Sequence, residues 1–410
     1  MNFEKPNQAS DAPTQMTRRG FLKAGVGLAG VALLGNQTIE ESVPTIPEGK
    51  RWQDYELDKA ESELSKEIED SINALKAGLE EKYNFKLELT FDEINASPHA
   101  VKKDLYELRP ALKLEALMML EYTLAKYPTF VISKSGLEHV LITTRVGNNY
   151  INDVGGYVAT GGHLEALDRV NKPELTLAYD WNSGDEIPPA LRTEEQVPEG
   201  MSYEDYVSDE LYTKKQNFEI ATHHELLHFF VDVEGTESST RLDEGKFTAE
   251  WNDIFGHFNN ASREVYTEEL QKQSKSDTVS FTDLPFEPHG FARSYGVESD
   301  LEDRATIVEF LMTGYEDQLA ERYKDEPILE VKVRDVKNFY HTFSYGLIDE
   351  EYWQLVKTVS KDFNFKEHFT QKAAEILRTP YSDYKSKDSV DEVTYSNWQA
   401  RLKLEYPQVN

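Results

Sequence analysis

The sequence predicts an α+β fold: N-terminal helices, then a mixed and partly antiparallel sheet, then a mainly helical C-terminal half. Three observations carry that reading. Apolar residues recur at helical spacing from Trp52 onward. Short runs of strand-like residues, punctuated by Gly, Asn and Pro, fill the stretch from Thr129 to Asp180. Helical patterning then dominates after Asn182. A hydrophobic share of 39%, with 22 Tyr and 20 Phe, is enough to build a core in a chain of 410 residues.

The first element is not expected to belong to that fold. Residues 16–35 read MTRRGFLKAGVGLAGVALLG, and Thr17-Arg18-Arg19-Gly20-Phe21-Leu22-Lys23 fits the twin-arginine export pattern. The apolar run from Ala24 to Gly35 is too short to cross ~30 Å of hydrocarbon as a helix. Residues 1–35 therefore read as an export address. They imply a periplasmic or extracellular protein, either released or anchored by an uncleaved signal, with no transmembrane span in the mature chain. Residues 36–51, with Pro44 and Pro47 and no periodicity, read as a polar tether.

From Trp52, Leu57, Leu64, Ile68, Ile72, Leu75 and Leu79 fall on one helical face. FKLELTF (Phe85 to Phe91) alternates like a strand, and a second long helix is expected over Val101 to Lys126, interrupted near Pro110. TFVIS (129–133), EHVLITTRV (138–146), GGYVAT (155–160) and ELTLAYD (174–180) read as strands, with GGYVATG as the sheet's edge. These boundaries give a helix-and-sheet region over 52–214, a helical region over 215–380, and a loosely packed polar tail over 381–410. No repeat or low-complexity segment interrupts them.

The formal net charge is -31, from 44 Lys+Arg against 75 Asp+Glu. That balance excludes nucleic acid, whose phosphates need clustered cations, and is equally unsuited to an anionic membrane surface. It suits a solubilising surface. There is no cysteine, so any metal site must be built from His and carboxylates.

EIATHHELLHFFVD (Glu219 to Asp232) raises that possibility. His224 and His228 are four apart, so a helix projects both imidazoles from one face, and Glu225 points obliquely into the same space. Ile220, Leu227 and Val231 supply an apolar face. His223 lies off the face needed and reads as a supporting or surface residue. A catalytic zinc site needs a third protein ligand. Glu234 stands where a third histidine would follow, but Val231 replaces the glycine that geometry requires. Glu250, in AEWNDIFG, lies on a segment like the thermolysin-type ligand helix, yet precedes Asp253 by three residues instead of four. The third candidate is GFARSYGVESDLEDRATIVEFLM (Gly290 to Met312).

The pairing of His-Glu-x-x-His with a downstream Ser294-Tyr295-Gly296, and then a helix carrying Glu302-Asp303-x-Ala305, resembles the gluzincin zinc metallopeptidases. Within them it is similar to the catalytic domain of anthrax lethal factor and the bacterial zinc-binding metallopeptidases related to it. The resemblance covers roughly residues 215 to 320. It implies a zincin-like fold and one catalytic Zn²⁺ held by His224, His228 and Glu302. It also implies that Glu225 moves the proton and that Tyr295 donates to the developing oxyanion. Thr306 departs from the pattern, standing where an acidic residue often supports the ligands. Leu301, Ala305, Val308 and Met312 form an apolar helix face, which sets Glu302 beside buried surface. The expected function is an exported zinc-dependent peptidase acting on a peptide or protein held along the sheet edge. Two other readings stand beside it: a non-proteolytic exported zinc-binding or cell-surface interaction protein on the same fold, and a non-metallic helical binding protein.

Overall fold

The computed structural model describes residues 65–89, 110–143, 156–159, 174–179, 203–231, 246–273, 288–359, 363–385 and 390–409. All of them belong to one compact unit, Arg51–Asn410. The expected export signal and tether lie outside the described residues. The unit is mostly helical with one small sheet, broadly the α+β class that the sequence implies.

Helix α1 (Ser65–Tyr83) buries Ile72, Leu79 and Tyr83, spaced to share a face. It stops where Asn84 takes φ 59°, and the Asn84 N–H donates to the Glu80 carbonyl at 3.0 Å. Strand β1 (Lys86–Glu88) follows. Helix α2 (Pro110–Ala125) packs Leu117, Leu120 and Leu124 into the core against α1; the expected helical stretch before Pro110 lies outside the described residues.

TFVIS is helix α3 (Thr129–Ser133) and not the strand its β-branched composition suggests. Pro128 sets the turn: its carbonyl accepts from Val131 N at 2.9 Å, and Phe130 O accepts from Lys134 N at 3.0 Å. Phe130, Val131 and Ile132 are all buried, which one helical turn wedged into the core accomplishes and a one-sided strand does not.

Strands β2 (His139–Thr143), β3 (Gly156–Ala159) and β4 (Glu174–Ala178) complete a sheet in the order β1-β2-β4-β3. β2 is parallel to β1 and to β4, with Val140 opposite Leu87 and Leu175. β3 joins the outer side of β4 antiparallel, so GYVA lies at an edge of the sheet among the described residues. Val140, Leu141 and Ile142 are fully buried in succession, the pattern of a central strand covered on both faces.

Long helices α4 (Tyr203–Val231) and α5 (Lys246–Gln273) follow, then a 3₁₀ turn (Ser294–Val297) and α6 (Asp300–Met312). α4 runs unbroken through the region boundary expected near 215 and packs against α6, α2, β3 and β4. The C-terminal part holds α7 (Glu316–Ala320), α8 (Pro327–Phe343), α9 (Glu350–Val356), α10 (Phe365–Arg378), α11 (Tyr381–Tyr384) and α12 (Glu392–Glu405). The described residues after 381 are thus not a loose tail. Asp391 caps α12, whose Tyr395, Trp398 and Leu402 are buried, and Tyr395 Oη donates to the Ile376 and Thr379 carbonyls at 2.8 Å. Three residues at i, i+3 and i+7 seat this otherwise polar helix. Among the described residues, no helix is long and apolar enough to cross a membrane.

Candidate metal centre

From Phe218 to Val231, α4 is buried on almost every side, so its two motif histidines face protein and not solvent. His224 Nε2 lies 3.0 Å from His228 Nε2 and 2.8 Å from Glu302 Oε2, and His228 Nε2 lies 3.5 Å from the same oxygen. A tetrahedral shell with bonds of ~2.0–2.1 Å has ligand atoms about 3.3 Å apart, so the three atoms stand at ligand spacing. Two facing ring nitrogens satisfy at most one hydrogen bond between them, and the buried Glu302 Oε2 makes none of acceptable geometry. Three polar atoms converging without mutual satisfaction fit a cation at their centre. Among the described residues, His224, His228 and Glu302 form the group that could hold a metal ion.

The electrostatics run the same way. Burial opposes protonation of His224, but the carboxylates of Glu302 and Glu309 on its two nitrogens outweigh it and raise its pKa to about 10. Burial likewise would raise Glu302, yet its contacts with His224 and His228 hold it far below the usual carboxylate range. Glu225, beside both histidines, is raised by burial and by the charges of Glu302 and Glu309. Negative charge in excess at a half-enclosed point attracts a divalent ion.

Glu302 is placed by the first turn of α6. Ser299 caps the helix, its Oγ accepting from Glu302 N at 3.1 Å. The Ser-x-x-Glu spacing reads as a capping box, but the Glu302 carboxylate reaches His224. That turn is pinned from below by a buried ion pair, Lys332 Nζ to Asp303 Oδ2 at 2.7 Å, both side chains fully buried. Asn259 Nδ2 donates to Asp300 Oδ1 and Asp303 Oδ2, and Lys332 Nζ donates to Asn259 Oδ1 and the Gly290 carbonyl.

Tyr295 sits on the 3₁₀ turn with its ring 5.7 Å from the His224 ring. Burial, with the charges of Glu302, Glu225 and Glu298, raises its pKa and keeps the phenol protonated. The turn approaches α6 closely at Gly296, where a Cβ would meet Thr306 Oγ1 at 2.8 Å. Thr306 thus packs under the turn, its hydroxyl donating to the Asp303 carbonyl at 2.9 Å.

Sequence reasoning missed Glu309. It lies two turns beyond Glu302 on α6 and accepts at 2.7 Å from His224 Nδ1, the nitrogen turned away from the cluster. Arg293 Nη2 donates to the same Glu309 oxygen at 2.5 Å. The support expected at position 306 comes from 309 instead. A lone carboxylate in the apolar run TIVEFLM was the available signal.

His223 is neither a surface residue nor part of the cluster. It is fully buried, with Nδ1 2.7 Å from Tyr127 Oη and Nε2 3.8 Å from Glu219. Glu250 is exposed on α5 and stands outside the cluster, and Glu234 lies outside the described residues. Compared with protein-family models, curated proteins and solved structures, the chain finds no match.

Proposed function

We propose that the protein is a zinc-dependent peptidase of the gluzincin kind, exported through the segment that carries Arg18 and Arg19. The observation that carries this reading is the convergence of His224 Nε2, His228 Nε2 and Glu302 Oε2 with the Glu225 carboxyl beside them. Two imidazoles and one carboxylate are a catalytic zinc set, and such a set leaves a coordination position open. Zn²⁺ bound there would supply Lewis acidity toward a scissile carbonyl and acidify a water.

The rest is the work of the chain's own side chains. Glu225 takes the proton of the attacking water and delivers it to the leaving amine. Tyr295, held protonated, donates its hydroxyl to the carbonyl oxygen as charge develops there. Glu309 orients His224. β3, at the sheet edge and packed against α4, offers main-chain groups to an extended substrate.

The test is a diverse peptide library presented to the zinc-loaded protein, with metal content read by elemental analysis. Glu225→Gln is expected to retain stoichiometric zinc and to lose cleavage by about 10²-fold or more. Zinc-loaded wild-type protein that leaves the whole library uncut would overturn the peptidase reading in favour of a non-proteolytic zinc protein. Absence of stoichiometric metal would overturn both.

A further inference from the structure

We propose that Arg293 selects a carboxylate on the molecule that occupies the metal centre: an acidic side chain, or a free C-terminus, within about three residues of the group held at His224, His228 and Glu302. This rests on the metal-centre reading above and gives its ligand a chemical class.

Arg293 immediately precedes the turn that carries Tyr295. Its side chain is 41% exposed, although its partner Glu309 is only 4% exposed. One donor nitrogen is committed, Nη2 to Glu309 Oε1. Nε is buried with no hydrogen bond, and among the described residues Nη1 has no partner either. A guanidinium carries five N–H donors in a rigid fork, so most of this one is unspent.

The position is within reach of a bound ligand. The Tyr295 ring lies 5.7 Å from the Arg293 guanidinium carbon and 5.7 Å from the His224 ring. At most two such steps separate the guanidinium from the His224 ring, a span that three residues of extended chain at ~3.3 Å each are long enough to cover. The surroundings make the preference sharp. Tyr295 is flanked by the carboxylates of Glu302, Glu225 and Glu298 and by the cation of Arg293. An acidic ligand approaching a protein of net charge -31 is repelled over most of the surface, and gains a charge-assisted pair at this point.

The experiment reads binding and not cleavage. Full-length zinc-loaded protein is titrated calorimetrically with matched peptide hydroxamates of one to three residues, each ending in a free carboxylate or in a primary amide. The free acids are expected to bind about tenfold or more tightly than the amides. Arg293→Gln should bring that ratio close to one with zinc retained by elemental analysis. Arg293→Lys keeps a charge beside Glu309 but not the fork, so it covers a Gln variant that sheds zinc, and its ratio is expected to fall between the two. Equal affinity for acid and amide, no binding of any member, or a ratio undiminished in the variants overturns the proposal. A library left uncut in the preceding assay would remove the peptidase reading without touching this result.

Discussion

His224 has a carboxylate at each ring nitrogen, Glu302 at 2.8 Å and Glu309 at 2.7 Å. With an ion bound, a proton held on Nδ1 toward Glu309 would leave the Nε2 lone pair to the metal, which is how an outer carboxylate fixes a metal-binding tautomer. Glu309→Gln is therefore expected to weaken metal affinity by about 10–100-fold while leaving the fold intact, measured by competition with a chelating dye alongside circular dichroism. Affinity equal to wild type would show that the 2.7 Å contact carries no orienting role. This residue also marks the limit of what could be read from the sequence. His224 and His228 were legible because helical spacing alone puts them on one face, and Glu225 because it adjoins the first of them. Glu302 was legible because a neighbouring apolar face and a family resemblance agreed on it. Glu309 was not, because support was sought at 306, and the close approach of Gly296 turns Thr306 toward the 3₁₀ turn.

Between elements, one ammonium group joins three helices. Lys126, just past the end of α2, pairs with Glu219 on α4 and donates to the Met312 carbonyl at the end of α6 at 2.6 Å. Burial alone would raise Glu219, but Lys126, and after it His223, holds its pKa down to about 2 against an ordinary 4.5. The sign follows from linkage. A folded-state pKa below the unfolded value contributes stability that is complete above about pH 4.5 and is lost as pH falls toward 2. Lys126→Met should thus cost about 3 kcal/mol at pH 7, because it strands a buried carboxylate. The gap to wild type should narrow as pH falls, first as the buried Glu219 of the variant protonates at and above its ordinary 4.5, then toward pH 2 as wild-type Glu219 protonates. Urea denaturation at stepped pH measures it, and a gap that does not change with pH would count against the pair. Elements were legible where local pattern and burial agree, as in β1, β2 and β4. They were misread where tertiary demand overrides composition. TFVIS winds into a turn behind Pro128, and α12 is held by Trp398 and two neighbours inside a polar run.

Over the whole molecule, the candidate metal centre is made by packing and not by sequence proximity. His224 and His228 come from α4 and Glu302 from α6, so the unfolded chain keeps no such site, and an ion that binds there binds the folded state. At a free concentration a thousandfold above its dissociation constant, such an ion stabilises by ~4 kcal/mol. Removing it with a chelator should lower the Tm by several degrees, and adding zinc back should restore it. The net charge of -31 complicates the reading, because any divalent cation screens the self-repulsion of an acidic surface and raises the Tm a little. Magnesium at equal concentration isolates that contribution, since its hard octahedral preference suits neither imidazole nor this three-atom set. Zinc minus magnesium is then the increment owed to the centre. It should vanish in Glu302→Gln, which removes one anionic ligand, while the magnesium increment stays as in wild type. A zinc-specific increment that survives in Glu302→Gln would exclude Glu302 as a ligand and assign the ion to other carboxylates.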